Sequence, residues 1–577
     1  MKNLFSSSQK SFFQTSANIL KVIYLSGFFI LIVTLGYYQI FKGDYYSKRA
    51  EKNYVRLMPI RAVRGSIFDR NGKTLAYDRA IFNISVIPYQ IKDSKDALFS
   101  QISKYLDYDL ALLNKNYKRN LQNYFSPVDI IRDIDKTIAL NLKEKFGDLL
   151  LINPQPQRYY PYPYQLAHVL GYVKDASSFY EKLKKYGYSP LERVGFLGIE
   201  QYYDTYLKGE DGGDLVEVDA KGRAVGFLGK RIPKKGKDIY LTIDKDFQIA
   251  AKDAIGKKRG CIILMNAKTG EMLALYSSPS FDPNLLTAGK NTSKFLSSKH
   301  SPLLNRTIQS RYPIGSIFKP FLSLVSLEEG KSTPYTPFNC EGQLELGISR
   351  FRCLKHHGQE NLFQAIAHSC NVYFYNLGLR SGPTLIHKWS EKFGLASLTK
   401  IDLPYERKGF VPSIAWKKNH LKQNWYAGDT LNLSIGQGYL GLTPLEVIRA
   451  FNLFANKGDL VTPHILKQIS NLPSGLQKSI NSGVNKENVL IIKKALRQVV
   501  ISDTGTGRTL NSLGLGIAGK TGTAQTSGKS HGWFLGFFPD KEPQYTICVF
   551  LENGGSSYNA LKVTGSFLSI LKEEDLL

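Results

Sequence analysis

Three short segments hold residue types that together could carry out acyl transfer. Ser316 and Lys319 stand three apart in "RYPIGSIFKPFLSLVSLEEG". A serine hydroxyl becomes a nucleophile only when an adjacent base takes its proton. A lysine amine is such a base only when burial or a neighbouring cation lowers its pKa. Pro313 and Gly315 read as a turn, and the apolar stretch after them reads as a helix. Residues three apart share a helix face, so the Lys319 amine is expected to approach the Ser316 hydroxyl, with Pro320 tolerated only in the first turn. Ser369 and Asn371, in "AHSCNVYFYNLG", offer a second hydroxyl that can relay a proton and a carboxamide that can bind a substrate backbone. Lys520, Thr521, Gly522 and Thr523, in "GLGIAGKTGTAQ", offer an ammonium and hydroxyls suited to a terminal carboxylate. They lie in a strand-like setting, where a free edge can pair with an extended peptide. Lys520 is also the candidate cation that lowers the Lys319 pKa.

Each segment recurs elsewhere, so order and context carry the reading. Ser-x-x-Lys also begins at Ser7, Ser397 and Ser569, none with a comparable preceding turn, and Ser-x-Asn also begins at Ser16, Ser479 and Ser557. Lys268-Thr269-Gly270 repeats the third segment at the tip of a hairpin, where turn chemistry alone explains it. Ser316–Lys319, Ser369–Asn371 and Lys520–Gly522 stand in order across one domain-sized region. Gly514 to Thr521 also fits G-x-x-x-x-G-K-[ST], a phosphate-cradling loop that needs a helix opening at its lysine. The Gly/Thr/Ser-rich run after Lys520 is poor helix material, which disfavours a nucleotide-binding enzyme.

Cys340, Cys353, His357 and Cys370 form a second cluster. Three sulfurs and an imidazole match a structural zinc set, with His356 as an alternative to His357. A disulfide, or plain free thiols, are the competing readings. Because Cys370 lies between Ser369 and Asn371, a metal there would brace the reactive segment without entering the chemistry. Cys261 and Cys548, in strand-like apolar runs, read as buried thiols.

These segments need a scaffold, and the chain is long enough for several domains. It has 577 residues, against about 150 per domain. The net charge of +28 suits anionic surroundings or merely solvated basic faces. No nucleic-acid-binding motif accompanies it, so nucleic acid is not an expected partner. Val22 to Phe41 carries no charge, and about 20 apolar residues cross a bilayer as a helix. No small-residue cleavage site follows, so an uncleaved anchor is predicted. Orientation is left open: Lys2, Lys10 and Lys21 precede the span, while Lys42, Lys48, Arg49, Lys52 and Arg56 follow it. Asn71-Gly72 predicts a hairpin turn, and "GCIILMNAKTGEMLALYSS" a second hairpin. The expected organisation is a tail over 1–21, an anchor over 22–41, a β-rich extended pedestal over 42–235 and a catalytic domain over 236–577.

With these segments in place, nearly the whole chain resembles the class B penicillin-binding proteins. The pedestal pattern appears as "RGSIFDRNGKTLA", "GFLGIEQYYDTYLKG" and "VDAKGRAV". The catalytic pattern appears as "YSSPSFDPN", "YPIGSIFKP", "SCNVYFY", "GDTLNLSIGQGYLGLTPLE" and "GKTGTAQ". "HGWFLGFFPD" is similar to the elongation-type branch, penicillin-binding protein 2, more than to the septal branch. Ile314 departs from the family, which often has a proline there. The resemblance implies an α+β fold with an antiparallel sheet flanked by helices, a cytoplasmic N-terminus and an exoplasmic D,D-transpeptidase. Ser316 would attack the D-Ala-D-Ala carbonyl of a stem pentapeptide, with Lys319 as base. Ser369 and Asn371 would relay protons and contact substrate, and Lys520, Thr521 and Thr523 would bind the carboxylate. The backbone N–H groups of Ser316 and Thr523 would form the oxyanion hole. It further implies a SEDS-family glycosyltransferase partner within the elongation machinery, β-lactams as inhibitors, and no cofactor for the chemistry. Some elongation-type members look similar in carrying zinc at the cysteine cluster, typically with acidic residues at its first two positions. A β-lactam sensor, a β-lactamase or a non-catalytic scaffold are the rival readings; no water-activating base for a hydrolase is identifiable.

Overall fold

The computed structural model describes residues 7–47, 55–121, 124, 127–176, 192–219, 224–289, 293, 295, 297–472 and 479–577. Lys2, Lys48, Arg49 and Lys52 and the middle of "VDAKGRAV" lie outside the described residues. The N-terminal helix Ser7–Gly36 continues through a π-helical turn, Tyr37–Phe41. Thr15–Phe41 is long and apolar enough to cross a membrane, and its apolar window is unburied within the protein. The chain divides into two compact units: Met1–Ala62, Ala80–Pro156 and Glu210–Lys234 form one, and Val63–Arg79, Gln157–Gly209 and Lys235–Leu577 the other.

The first unit contains an antiparallel three-stranded sheet, Val55–Ile60, Gly212–Val218 and Ala224–Arg231. A separate core gathers Ile84, Val86, Phe99, Ile102, Leu113 and Leu142, contributed partly by the helices Lys95–Leu106, Leu110–Asn120 and Lys136–Phe146. Asp109 and Asp135 cap two of these helices by accepting from the backbone N–H two residues on.

The second unit is built on a five-stranded antiparallel sheet. In chain order its main elements are α1 (Lys245–Ile255), β1 (Gly260–Asn266), β2 (Met272–Ser278), α2 (Lys319–Glu328), α3 (Leu362–His368), α4 (Asn371–Lys392), α5 (Ala427–Ser434), α6 (Lys486–Ile501), β3 (Ala518–Ala524), β4 (His531–Phe538), β5 (Tyr545–Leu551) and α7 (Ser557–Glu573). The spatial order is β2-β1-β5-β4-β3. Both faces of the sheet are covered. Ile262, Leu264, Phe534 and Val549 pack with Phe247 of α1 and Phe567 of α7, while Ile263, Leu535 and Phe550 join a core that includes Phe318, Phe321 and Phe451. Double burial is why β1 and β4 read as continuous apolar runs rather than alternating ones. Cys261 and Cys548 lie fully buried in this sheet, as expected. The Lys268-Thr269-Gly270 tripeptide forms the β1–β2 turn, with Asn266 Oδ1 accepting from the Lys268 and Thr269 N–H groups, so it is a turn and nothing more. Asn71 and Gly72 likewise form a tight turn, with Gly72 at φ +80°.

Residues from the pedestal-like motifs converge on a buried charge cluster within this unit. Glu200 accepts from Arg64 Nε at 2.6 Å and from Arg158 Nε at 2.5 Å, and Asp204 pairs with Arg64 at 2.5 Å. Removing one partner of such a cluster leaves uncompensated buried charge, at a cost of about 3–5 kcal/mol. Glu200→Ala is therefore expected to lower unfolding stability by that order in denaturant titration, and a loss near zero would contradict the assignment.

Candidate active site

The nucleophile candidate is carried by a tight turn. Gly315–Phe318 forms a 3-10 turn that runs directly into α2, with Pro320 in the first helical turn as predicted. Ser316 is half-buried. Three contacts hold the turn: Gly315 N donates to Gly436 O at 3.0 Å, Tyr312 N to Leu442 O at 2.9 Å, and Trp533 Nε1 to Pro313 O at 3.1 Å. Gly315 sits at φ +55°, and a Cβ there would stand 2.5 Å from the Thr523 carbonyl oxygen. Only glycine lets the turn approach β3 so closely. Gly522 has the same role from the other side, since its Cβ would stand 2.7 Å from Ile317. Ile314 is fully buried beside the turn.

Lys319 is fully buried. Its Nζ donates to Ser369 O at 2.6 Å, Asn371 Oδ1 at 2.7 Å and Ser369 Oγ at 3.2 Å. It also lies 5.3 Å from the Phe374 ring centre. The three boxes thus meet, but not in the detail expected: among the described residues the Lys319 amine bonds to the Ser-x-Asn segment and not to Ser316. Burial lowers the Lys319 pKa to about 8. Lys520, also fully buried, is pushed well below its ordinary value by burial and then by the charge of Lys319. The repulsion is therefore felt at Lys520, while burial accounts for Lys319, which revises the expected direction of influence.

The Ser-x-Asn segment is a helix-to-helix corner. Ser369 closes α3 in the left-handed region (φ +58°), and Cys370 caps α4, its sulfur accepting from Tyr373 N at 3.5 Å. Asn371 Nδ2 donates to Arg352 O at 3.1 Å. Lys520 to Thr523 lie on β3, the terminal strand of the sheet. A strand running through Lys520 excludes the phosphate-loop geometry, which needs a helix there. Thr523 is exposed, whereas Thr521 is buried and donates to Thr506 Oγ1 at 2.8 Å.

Sequence reasoning missed the loop that supports Thr521. Thr506 N donates to Ala367 O at 3.2 Å. His368 lies between Glu360 Oε1 (2.8 Å) and Thr504 Oγ1 (2.7 Å). This ties the end of α3 to the loop before β3. Only the dense Thr and Gly content of "SDTGTGRT" hinted at it.

Cys340, Cys353, His357 and Cys370 come together, with their ligand atoms all within 4.8 Å of one another. The selected histidine is His357 rather than His356. Nδ1 of His357 lies 3.4 Å from Cys340 Sγ and 3.5 Å from Cys353 Sγ, and Cys353 and Cys370 sulfurs are 3.9 Å apart. All three cysteines are free thiols, with no disulfide among them. Around a tetrahedral zinc with Zn–S about 2.3 Å and Zn–N about 2.0 Å, ligand atoms fall about 3.5–3.8 Å apart. The donor set fits that ion in both chemistry and spacing. The Cys370 S–H and the backbone N–H groups of Val372 and Asn371 hold the Cys353 thiol well below its ordinary range. Asn371 N lies 3.1 Å from Cys353 Sγ, so the cluster grips a residue that also holds Lys319.

A nucleophile turn, a buried lysine, a Ser-x-Asn corner and an edge strand bearing Lys-Thr-Gly define a serine acyl-transfer enzyme. The family model for the penicillin binding protein transpeptidase domain matches residues 260–572, and that for the penicillin-binding protein dimerisation domain matches residues 59–241. The chain belongs to the penicillin-binding protein transpeptidase family. It is 34% identical over 572 residues to the peptidoglycan D,D-transpeptidase MrdA of Acinetobacter baumannii, covering 91% of this chain and 82% of that one. It is 32% identical over 584 residues to MrdA of Escherichia coli, covering 93% and 90%. The structure of penicillin-binding protein PBP2 with MreC from Helicobacter pylori superposes with a TM-score of 0.80 at 30% identity, covering 91% of this chain and 99% of that one.

A methyl group at Gly315 would force the turn away from β3, costing about 1–3 kcal/mol. Gly315→Ala is expected to slow acylation by a β-lactam about 10- to 100-fold in stopped-flow measurements, and a wild-type rate would contradict the close-approach role.

Proposed function

We propose that this chain is a membrane-anchored peptidoglycan D,D-transpeptidase of the elongation type, with its N-terminus in the cytoplasm and its catalytic domain, beginning near residue 236, outside. The observation that carries the reading is the buried Lys319 amine joined to Ser369 and Asn371 directly behind the Ser316 turn. Ser316 Oγ attacks the carbonyl of the penultimate D-Ala of a stem pentapeptide and its proton passes to the neutral Lys319 amine. The backbone N–H groups of Ser316 and Thr523 stabilise the oxyanion. When the C–N bond breaks, the leaving D-Ala amine takes a proton relayed through Ser369, and its carboxylate is held by Lys520, Thr521 and Thr523. Gly522 keeps the strand close to the turn. The amine of a neighbouring stem then attacks the Ser316 ester, forms the cross-link and returns the proton to the serine. Resolution by water instead would be carboxypeptidase chemistry. A β-lactam enters by the same attack, but its leaving group stays tethered. No step needs a cofactor.

Cys340, Cys353, His357 and Cys370 would hold a structural zinc. Bound there, it would supply a rigid junction and no reacting atom, while Cys353 positions Asn371 through the backbone N–H. The PBP2–MreC complex among its structural neighbours supports a place in an elongation assembly, with a SEDS-family glycosyltransferase supplying glycan strands.

Fluorescent penicillin is expected to label the wild type and not Ser316→Ala, which should still unfold cooperatively. Cells depending on that variant should round up rather than filament. Persistent labelling of the variant would end the assignment. The base must be neutral to act, and with a pKa near 8 the Lys319 amine is about one-tenth neutral at pH 7. Acylation is therefore expected to accelerate up to about tenfold as pH rises through 8, and a flat profile would count against Lys319.

Protein purified without chelator is expected to contain about one zinc per chain, and stripping it should lower the melting temperature. Metal-free protein with paired cysteines would contradict the zinc site.

A further inference from the structure

A cavity of ≈ 200 Å³ opens beside the nucleophile turn, lined by Trp425, Tyr439 and Pro412 and by the polar side chains of Asp429, Asn432 and Gln437. None of these residues belongs to the three boxes or to the cysteine cluster. Its walls are fixed by contacts of their own. Trp425 Nε1 donates to Thr430 Oγ1 at 2.8 Å, and Trp416 meets the Tyr439 ring edge-on at 5.2 Å. Lys417 is buried, donates to Asp429 Oδ2 at 2.6 Å, and lies 5.9 Å from the Tyr439 ring centre. A π-helical turn, Lys417–Leu421, begins at this lysine, and such turns are frequent at functional sites.

Two polar groups are left open. Among the described residues, neither the Asn432 nor the Gln437 carboxamide has a hydrogen-bond partner in the protein. Each offers an acceptor oxygen and two N–H donors. The one ionic pair at the cavity, Lys417–Asp429, is internally satisfied, so the lining is shaped for a neutral polar ligand rather than for an ion. Aromatic walls with convergent amide groups on a preformed concave surface are the chemistry that recognises a pyranose ring. The C–H face of the sugar lies on the aromatic ring, and its hydroxyl and N-acetyl groups meet the carboxamides.

The position fits as well. Gln437 follows Gly436, whose carbonyl accepts from Gly315 N at 3.0 Å, and Ser316 follows Gly315. With about 3.8 Å between consecutive Cα atoms, the cavity edge and the nucleophile are separated by on the order of 13 Å at most. Three or four residues of extended stem peptide span about 10–14 Å. We propose that this cavity is a saccharide subsite that holds an N-acetylhexosamine of a glycan strand while the attached stem peptide extends along β3 to Ser316. The proposal rests on the transpeptidase reading and adds to it a second point of substrate recognition.

The test uses the full-length protein in detergent and the soluble trisaccharide of N-acetylglucosamine as probe, followed by saturation-transfer NMR and Trp fluorescence. Saturable binding is expected in the wild type, weakened about three- to tenfold in Asn432→Ala and again in Gln437→Ala, as loss of one hydrogen bond each. Both side chains are without protein partners, so these variants should fold and take penicillin, which carries no sugar, at the wild-type rate. With a glycan-linked stem substrate their KM should rise by a similar factor while kcat holds, and with a free stem peptide nothing should change. The KM effect is expected when the glycan-linked substrate is the donor, and an effect confined to its use as acceptor would overturn the proposal. Absence of saturable saccharide binding in a protein that takes penicillin normally would overturn the proposal, as would equal effects on glycan-linked and free peptides. A wild type that does not take penicillin would sink the transpeptidase reading instead.

Discussion

The structure around Ser316 is organised by one demand: a lysine amine with no access to water must be satisfied by protein groups or give up its proton. Lys319 does both in part. Burial lowers its pKa to about 8, while Ser369 and Asn371 supply the acceptors for its charged form. Those acceptors exist because the chain breaks between α3 and α4 at this point. Ser369 leaves α3 in a left-handed conformation, and Cys370 starts α4 as its cap. A continuous helix would have spent the Ser369 carbonyl on its own ladder. The corner is held from behind by the cysteine cluster, which reaches Asn371 through Cys353. Lysine, corner and cysteine cluster therefore form one mechanical unit.

The second constraint is proximity. The Ser316 turn and the Lys-Thr-Gly strand nearly touch. Gly315 and Gly522 make that approach sterically possible, and Gly436 anchors the turn from a third side. The terminal position of β3 leaves its outer edge available to a peptide. The remainder of the sheet, buried on both faces, keeps that edge fixed relative to α2.

The three boxes were legible in the sequence because each needs particular residue types in a fixed local order. So were the hairpin at Lys268, the helix start at Pro320 and the buried thiols, all governed by local rules. The direction of the Lys319 amine was not. Helical spacing pointed it toward Ser316, whereas its partners come from a corner distant in sequence. The choice of His357 over His356 and the Thr506 support of Thr521 were hidden for the same reason: they depend on long-range packing. The buried Arg64–Glu200–Arg158 cluster gives the pedestal-like motifs a physical role that their sequence alone did not disclose.

The central claim is that Ser316 forms an acyl ester with loss of one D-alanine. Trapping the enzyme with a thioester analogue of an acyl-D-Ala-D-Ala stem, followed by proteolysis and mass spectrometry, tests it most directly. One acyl group per chain is expected, mapped to the peptide containing Ser316, with a stoichiometric leaving group. An acyl group on any other residue, or turnover with Ser316 unmodified at every time point, would contradict it.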